Sequence, residues 1–180
     1  MLRRWPLTGL TAVLALCLVA PSSGVRRGSP VVDADVTRQL TIAASALVDR
    51  RSQALVQNHG RDRRDAPSEV YGVRIAPGLA ESQEQAVREL ENRNRAPVEG
   101  GPAYTGARTS LEDGRAVRTG NRITLDAVEH TEVRYSSGRV TQSVRRRFDF
   151  QTSGDQIILV GERVLDPGAH PVNDPGDPER

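Results

Sequence analysis

The chain has 180 residues, enough for one ordinary domain, and all 25 of its basic residues are arginine, against 23 acidic residues. Two of the arginines lie in a predicted export signal, so the remaining chain carries equal numbers of opposite charges. Nucleic-acid binding needs a basic surplus, and Schiff-base catalysis or a phosphate-binding P-loop needs lysine, so the composition argues against all three. The single cysteine, Cys17, lies in the same signal. A processed chain would therefore have no disulfide, thiol nucleophile or thiolate metal site.

Residues 1–24 are predicted to be a secretory signal peptide. Two arginines open the segment, about fourteen mostly apolar residues follow, and small residues come next. This apolar stretch is shorter than the roughly 20 residues that span a bilayer. Cleavage after Ala20 and cleavage after Gly24 both fit the pattern. Lipidation at Cys17, an uncleaved anchor and the twin-arginine route are alternatives.

The pattern then predicts a linker over 25–32 and a domain over 33–166 that begins with two helices. Asp33 and Asp35 are typical helix-start residues, and apolar residues recur after them at helical spacing. These residues are Val36, Leu40, Ala43, Ala44 and Leu47. A second helix is predicted after Pro77, with acidic residues early and arginines late, as the helix dipole favours. Its apolar positions are Leu79, Ala86, Val87 and Leu90.

From residue 103 apolar and polar residues alternate, which predicts four antiparallel strands over 104–118, 122–135, 140–151 and 156–165. Ser137-Gly138 and Ser153-Gly154 are predicted two-residue hairpin turns. The expected fold is α+β, with two N-terminal helices packed on a curved four-stranded antiparallel sheet, a layout that resembles cystatin-like or NTF2-like folds. Residues 167–180, rich in proline and glycine, are predicted to be a disordered tail.

The predicted hairpin turns place two charged side chains on the buried face of the sheet. They set Glu129 opposite Arg146, and they set Gly161 beside Arg146, where it leaves room for the guanidinium. An unpaired buried charge costs several kcal/mol, so each charge explains the burial of the other. A one-residue slip would instead oppose apolar and polar faces.

The Glu129–Arg146 pair has two interpretations. In one, the pair is an ion pair that fixes the strand register. In the other, it lines a small-molecule pocket together with Tyr135, with Glu129 as a base or Arg146 as an anion clamp. The first is favoured, because a facing arginine lowers the basicity of a carboxylate.

The outer face of the predicted sheet carries an apolar group near Arg147. Its members are Val128, Ile158, Val160 and Val164. The group reflects either strand propensity or a docking surface for another domain or subunit. The three histidines show no metal-ligand spacing, and no nucleophile-elbow or dinucleotide-binding motif is found. The sequence therefore predicts no catalytic residue, metal or cofactor.

Five segments resemble the N-terminal region of exported amidase-domain proteins of high-GC Gram-positive bacteria. They are 47–51 (LVDRR), 103–105 (AYT), 119–125 (TGNRITL), 131–135 (TEVRY) and 164–168 (VLDPG). In that family the region precedes a papain-like catalytic domain with a cysteine nucleophile. This chain has no cysteine after Cys17, so the resemblance covers the non-catalytic region and assigns no catalytic residue.

The function expected from these features is an exported, non-catalytic accessory or interaction module at the cell envelope. Its expected partner is another envelope protein or domain, and it would contact the membrane only through its export signal. One alternative is an NTF2-like small-ligand-binding protein or enzyme that uses Glu129 and Arg146. The other is a remnant or split partner of an amidase.

Overall fold

The computed structural model describes residues 31–56, 67–93 and 104–175. In chain order the elements are α1 (Ala34–Ala54), β1 (Glu69–Val70), β2 (Val73–Ile75), α2 (Pro77–Arg93), β3 (Gly106–Thr119), β4 (Arg122–Tyr135), β5 (Gly138–Ser153) and β6 (Gln156–Val164). The predicted signal, the linker up to residue 30 and residues 176–180 lie outside the described residues. No described helix combines the length and the apolar character needed to cross a membrane.

Both predicted helices are confirmed. Asp33 caps α1, since its carboxylate accepts a 2.8 Å hydrogen bond from the backbone N–H of Asp35. The predicted apolar stripes face the interior, where the most buried members are Leu40, Ala43, Ala44, Leu47, Ala86, Val87 and Leu90. Their burial against the sheet stabilises both helices.

The α+β class is confirmed, but the expected four-stranded antiparallel sheet with a cystatin-like or NTF2-like layout is wrong. The sheet has six strands in the order β1-β2-β6-β5-β4-β3 and is curled into a half-barrel. It is mixed, because β2 pairs in parallel with β6. The β1–β2 hairpin escaped prediction because strands of two and three residues are too short to show alternation. Its turn, Tyr71-Gly72, holds both residues at positive φ.

The register between β4 and β5 is two residues away from the prediction. Ser136 and Ser137 form the turn, and Gly138 takes the positive φ of 151° at the first residue of β5. Arg146 consequently lies opposite Ala127, and Glu129 lies opposite Val144. A shift of two residues leaves every side chain on its predicted face, so the faces are right and the opposed pairs are wrong.

A β-bulge changes the register between β5 and β6. Asp149 of β5 pairs with Gly161 and Phe150 pairs with Leu159, so Val160 of β6 is an extra residue without a partner on β5. Gly161 lies opposite Asp149, so its predicted position beside Arg146 is wrong, and Val164 takes that place. One extra residue reverses the alternation, so Glu162 and Val164 share the inner face with Arg146.

Residues 166–175, which we call the C-terminal strap, pack against the inner side of the fold. Pro171 and Asn173 are buried, and Val172 packs on a core cluster that includes Leu90 and Val133. The strap is also held at its start, where Asp166 accepts hydrogen bonds from Arg145. The expectation of a disordered tail is therefore wrong for residues 167–175.

Candidate functional site

Glu129 and Arg146 meet on the buried face, as predicted, although they are not directly opposed. Arg146 Nε donates a 2.6 Å hydrogen bond to Glu129 Oε2, and each side chain is 1% exposed. Arg146 projects from a position opposite Ala127, whose small side chain leaves room for the guanidinium to reach Glu129 diagonally. The result is a buried ion pair between β4 and β5.

A second carboxylate, that of Glu162 on β6, extends this pair, and the Glu162 side chain is 9% exposed. It receives two hydrogen bonds from Arg51 on α1, at 2.7 and 3.1 Å, and one from Gln83 on α2, at 2.7 Å. Arg146 Nη1 lies 3.3 Å from the same carboxylate. Burial disfavours the charged form of Arg146, but the charges of Glu162 and Glu129 outweigh that effect and raise its pKa. Two arginines and two glutamates thus balance charge inside the protein.

Asn173 of the strap completes the coordination of Glu129. Its Nδ2 donates to Glu129 Oε1 at 2.6 Å and lies 3.0 Å from the hydroxyl of Ser52. Thr131 also donates to Glu129 Oε1, at 3.3 Å, and shares a 2.8 Å hydrogen bond with Thr109, which in turn contacts Ser52. We call these residues, with Arg51, Gln83, Arg146 and Glu162, the buried polar network.

The buried polar network is suited to holding structure together. A general base or an anion clamp must reach a group on a bound substrate. Both oxygens of Glu129 already accept hydrogen bonds from protein donors, and Arg146 is engaged with two carboxylates. The network also links α1, α2, four strands and the strap. The geometry therefore favours the ion-pair interpretation.

Tyr135 lies away from this network. Its ring stacks at a tilt against Tyr104, with centroids 5.1 Å apart, and burial together with a hydrogen bond to Tyr135 raises the pKa of Tyr104. The two tyrosines line a pocket of about 470 Å³ together with Val140 and Val172. Arg146 instead lines a groove of about 490 Å³ beside α2. The three predicted ligand-binding residues do not form a single site.

The predicted outer-face group is also divided. Val128, Arg147 and Ile158 share the outer face, where all three are half-buried. Arg147 makes two hydrogen bonds with Asp126, at 2.5 and 2.7 Å, which lower the pKa of Asp126 and raise that of Arg147. The placement of Val164 in this group is wrong, because the bulge turns it inward.

His130 forms a hydrogen-bonded chain on the outer face. Its Nδ1 lies 2.8 Å from Ser143 Oγ and its Nε2 lies 3.0 Å from Glu112 Oε2. This order is the reverse of a serine-protease triad, in which Nε2 faces the serine. Glu112 and Ser143 are exposed to solvent. Within the described residues, no group of three side chains is placed to hold a metal ion.

Only Glu129 and Arg146 of the buried polar network were predicted as site residues, and Arg51, Glu162 and Asn173 are three of the members that were missed. Arg51 follows Leu47 by four residues, so helical spacing alone could have placed it on the buried face of α1. Glu162 was hidden by the bulge at Val160, for which the neighbouring Gly161, a glycine inside a strand, was the available signal. Asn173 was hidden by the proline- and glycine-rich composition of the tail, which is typical of disorder.

Comparison with known proteins assigns no family. No protein-family model matches the sequence, and no curated protein matches it. The similar solved structures include Bd1075 of Bdellovibrio bacteriovorus and the intermembrane-space region of the chloroplast protein ARC6. The Bdellovibrio protein is 12% identical with a TM-score of 0.41, and the match covers 73% of this chain and 40% of the Bdellovibrio chain. The ARC6 region is 12% identical with a TM-score of 0.38, and the match covers 76% of this chain and 98% of the ARC6 chain.

The chain therefore spans less than half of the Bdellovibrio protein. Similarity at this level assigns neither a fold family nor a function.

Proposed function

We propose that this chain is an exported, non-catalytic accessory module that binds another protein at the cell envelope. One observation carries the proposal. The two groups best suited to chemistry, Glu129 and Arg146, are 1% exposed and engaged with each other, whereas a groove beside β6 and α2 is open. The predicted signal over residues 1–24 supports the extracytoplasmic location.

The resemblance to amidase-associated regions suggests which partner to test first. In those proteins the corresponding region adjoins a papain-like catalytic domain, so such a domain is the proposed partner. The alternative that uses Glu129 and Arg146 for a small ligand needs free space beside Glu129. Asn173 and Thr131 occupy positions within hydrogen-bond distance of that carboxylate.

Export is tested by expressing the full chain in a high-GC Gram-positive host and sequencing the N-terminus of the extracytoplasmic protein. The expected product begins after Ala20 or Gly24. A chain that keeps residues 1–24 and stays in the cytoplasm would contradict export.

The non-catalytic assignment is tested with the purified protein and a panel of peptide and amide substrates. We expect hydrolysis no faster than in the blank. Hydrolysis that disappears in Glu129→Gln or Ser143→Ala, but persists in the surface variant Gln85→Ala, would overturn the assignment. In parallel, sedimentation of a mixture with a recombinant papain-like amidase domain is expected to show a complex. Two separately sedimenting species would exclude that partner.

A further inference from the structure

The C-terminal strap is held to the fold by side chains and adds no strand to the sheet. In the described part of the chain, its backbone–backbone hydrogen bonds join strap residues to each other. Ala169 donates to the carbonyl of Asp166, and Asp174 donates to that of Pro171, at 3.2 and 2.9 Å. Gly168, near the start of the strap, is exposed and has a φ of 70°. The strap can therefore separate from the sheet without breaking a β-ladder.

One glutamine of β5 binds the main chain of the strap. Gln142 Nε2 donates to the carbonyl of His170 at 3.0 Å, and Gln142 Oε1 accepts from the N–H of Val172 at 2.9 Å. The carboxamide thus pairs with an acceptor and a donor of the strap, as a neighbouring strand would. These two bonds involve main-chain groups only, so an extended segment of another protein can make them equally well.

The side chains that follow His170 in the strap enter the interior. Pro171 and Asn173 are buried, and Val172 packs on the core cluster beside Tyr104 and Tyr135. Main-chain contacts combined with pockets for individual side chains are the way in which proteins bind extended peptides. The fold therefore holds the strap as a short Pro-Val-Asn motif.

Asn173 enters a socket made of hydrogen-bond acceptors, which we call the Asn173 socket. Its Nδ2 carries two hydrogens and lies within hydrogen-bond distance of four oxygen atoms. These are Glu129 Oε1 at 2.6 Å, Ser52 Oγ at 3.0 Å, Thr109 Oγ1 at 3.3 Å and the carbonyl of Val48 at 3.4 Å. The Oδ1 atom of Asn173 is buried and has no hydrogen-bond partner among the described residues. The socket therefore recognises the NH2 half of the carboxamide.

The hydroxyl protons of the socket are directed toward Glu129. Thr131 donates to Glu129, since the carboxylate that is paired with Arg146 can only accept. Thr109 must then donate to Thr131, and Ser52 to Thr109, because each hydroxyl has a single proton. No hydroxyl proton of this chain is left for the group that fills the socket. An asparagine fits, whereas an aspartate would place a second carboxylate beside Glu129.

We propose that the strap is an autoinhibitory segment. It covers a peptide-binding site, and an extended Pro-aliphatic-Asn segment of a partner protein binds there in its place. This inference rests on the proposed function and specifies the binding surface, the motif of the partner and its regulation. The occupant is defined by the segment that the structure shows in the site. The ion pair of Glu129 with Arg146 stays buried in both states, and only the amide donor to Glu129 Oε1 is exchanged.

The probe is the acetylated and amidated peptide His-Pro-Val-Asn-Asp-Pro, which copies residues 170–175. In the full-length wild-type protein, the attached strap competes with the probe at an effective concentration on the order of millimolar. Asn173→Asp should expel the strap at neutral pH, because two carboxylates would meet, and it leaves every residue of the Asn173 socket in place. The probe is therefore expected to bind this variant about tenfold or more tightly than wild type.

Hydrogen exchange of the Val172 amide reports whether the strap has left its site, and circular dichroism checks that the variant folds. If Asn173→Asp prevents folding, Asp166→Asn takes its place, because it weakens the strap at its first residue. The probe is then expected to bind about threefold more tightly than to wild type.

Two comparisons in the chosen variant test the motif and the location. A probe with aspartate in place of its asparagine should bind about tenfold or more weakly, since Glu129 repels it. Adding Gln142→Ala should weaken binding of the original probe about fivefold or more. Adding Gln151→Ala, at an exposed position of the same strand, should not.

Four results would overturn the proposal. They are a strap that stays docked in Asn173→Asp, equal binding of the probe by variant and wild type, equal binding of the two probes, and equal effects of the two glutamine substitutions. A wild-type dimer that is lost in Asn173→Asp would assign the site to the strap of a second copy and would also overturn the proposal.

None of these results bears on export or on hydrolysis. The probe can bind when the amidase domain does not, and that domain can form a complex when the probe fails. Failure of the peptide site and failure of the proposed function are therefore distinguishable.

Discussion

Asn173 Nδ2 lies 2.6 Å from Glu129 Oε1, so a residue of the C-terminal strap completes the coordination of a carboxylate buried on β4. The same amide nitrogen reaches Ser52 on α1 and Thr109 on β3. The strap is thus fastened to three separate elements at one point. Its position closes Glu129 from solvent and makes the strap part of the folded domain.

Replacing Asn173 by alanine is expected to lower the free energy of unfolding by about 1–3 kcal/mol, because a buried charged carboxylate loses a hydrogen-bond donor. Urea unfolding measures the change. His170→Ala is the matched control, since this strap residue is exposed, and its effect should stay within about 0.5 kcal/mol. Equal effects of the two substitutions would show that Asn173 has no special role.

Acid is expected to release the beginning of the strap. Asp166 accepts hydrogen bonds from the backbone N–H and the guanidinium of Arg145, at 2.6 and 2.7 Å, and these bonds lower its pKa. Because the pKa is lower in the folded state, the stabilisation is present at neutral pH and is lost as pH falls through the folded-state value, below the usual range near 3.9.

The NMR shift of the Arg145 amide, followed from pH 7 downward, measures this release. In wild type the shift should change only below the ordinary aspartate range. Asp166→Asn should remove the transition. A transition that persists in Asp166→Asn would assign the acid effect to another group.

The β1–β2 turn should tolerate only glycine at residue 72. Gly72 has a φ of 77°, and an added Cβ would lie 3.0 Å from Gln39 Nε2, which donates a hydrogen bond to the carbonyl of Tyr71. Gly72→Ala is expected to cost about 1–2 kcal/mol in thermal unfolding experiments. In Gly78→Ala the added Cβ has open space in a helix, so that variant should be neutral or slightly stabilised. Similar losses in both variants would contradict this account of the turn.

Tyr104 should ionise at a higher pH than an ordinary tyrosine. Burial and the hydrogen bond to Tyr135 raise its pKa above the ordinary value near 10. The absorbance change that Tyr104→Phe removes is therefore expected above pH 10. Tyr135→Phe should lower the pH at which this change occurs. Since the unfolded chain ionises first, raising the pH past about 10 should destabilise the fold. If the absorbance change that Tyr104→Phe removes instead occurs at the ordinary tyrosine pH, the account of the Tyr104–Tyr135 contact is contradicted.

The sequence carried enough information to predict both helices and the buried faces of β4 and β5, because these elements are long and strongly periodic. The opposed pairs were predicted wrongly because a single glycine, Gly138, can serve either in the turn or just after it. The buried and exposed faces were still predicted correctly, because the register differs from the prediction by two residues, an even number.

The position of Glu162 and the pairing of β2 with β6 depended on features with a weak local signal, a glycine inside β6, or with none. The extra residue at Val160 reverses the alternation of β6, and this turns both Glu162 and Val164 inward. The short β1–β2 hairpin joins the sheet through a long-range parallel contact, which local patterns do not encode. The groove beside α2 exists only because of both features, so sequence analysis could not have found it.

The central claim is that Glu129 and Arg146 are a structural ion pair. A double-mutant cycle with Glu129→Gln, Arg146→Met and the double variant, measured by urea unfolding, tests it most directly, with Arg139→Met as an exposed control on the same strand. Arg146→Met should cost about 3–5 kcal/mol, because it leaves the buried carboxylate of Glu129 without its ion-pair partner and removes one partner from Glu162. If it prevents folding, Arg146→Lys takes its place. We predict that the two sites are coupled by more than about 1 kcal/mol, and additivity within about 0.5 kcal/mol would contradict the account.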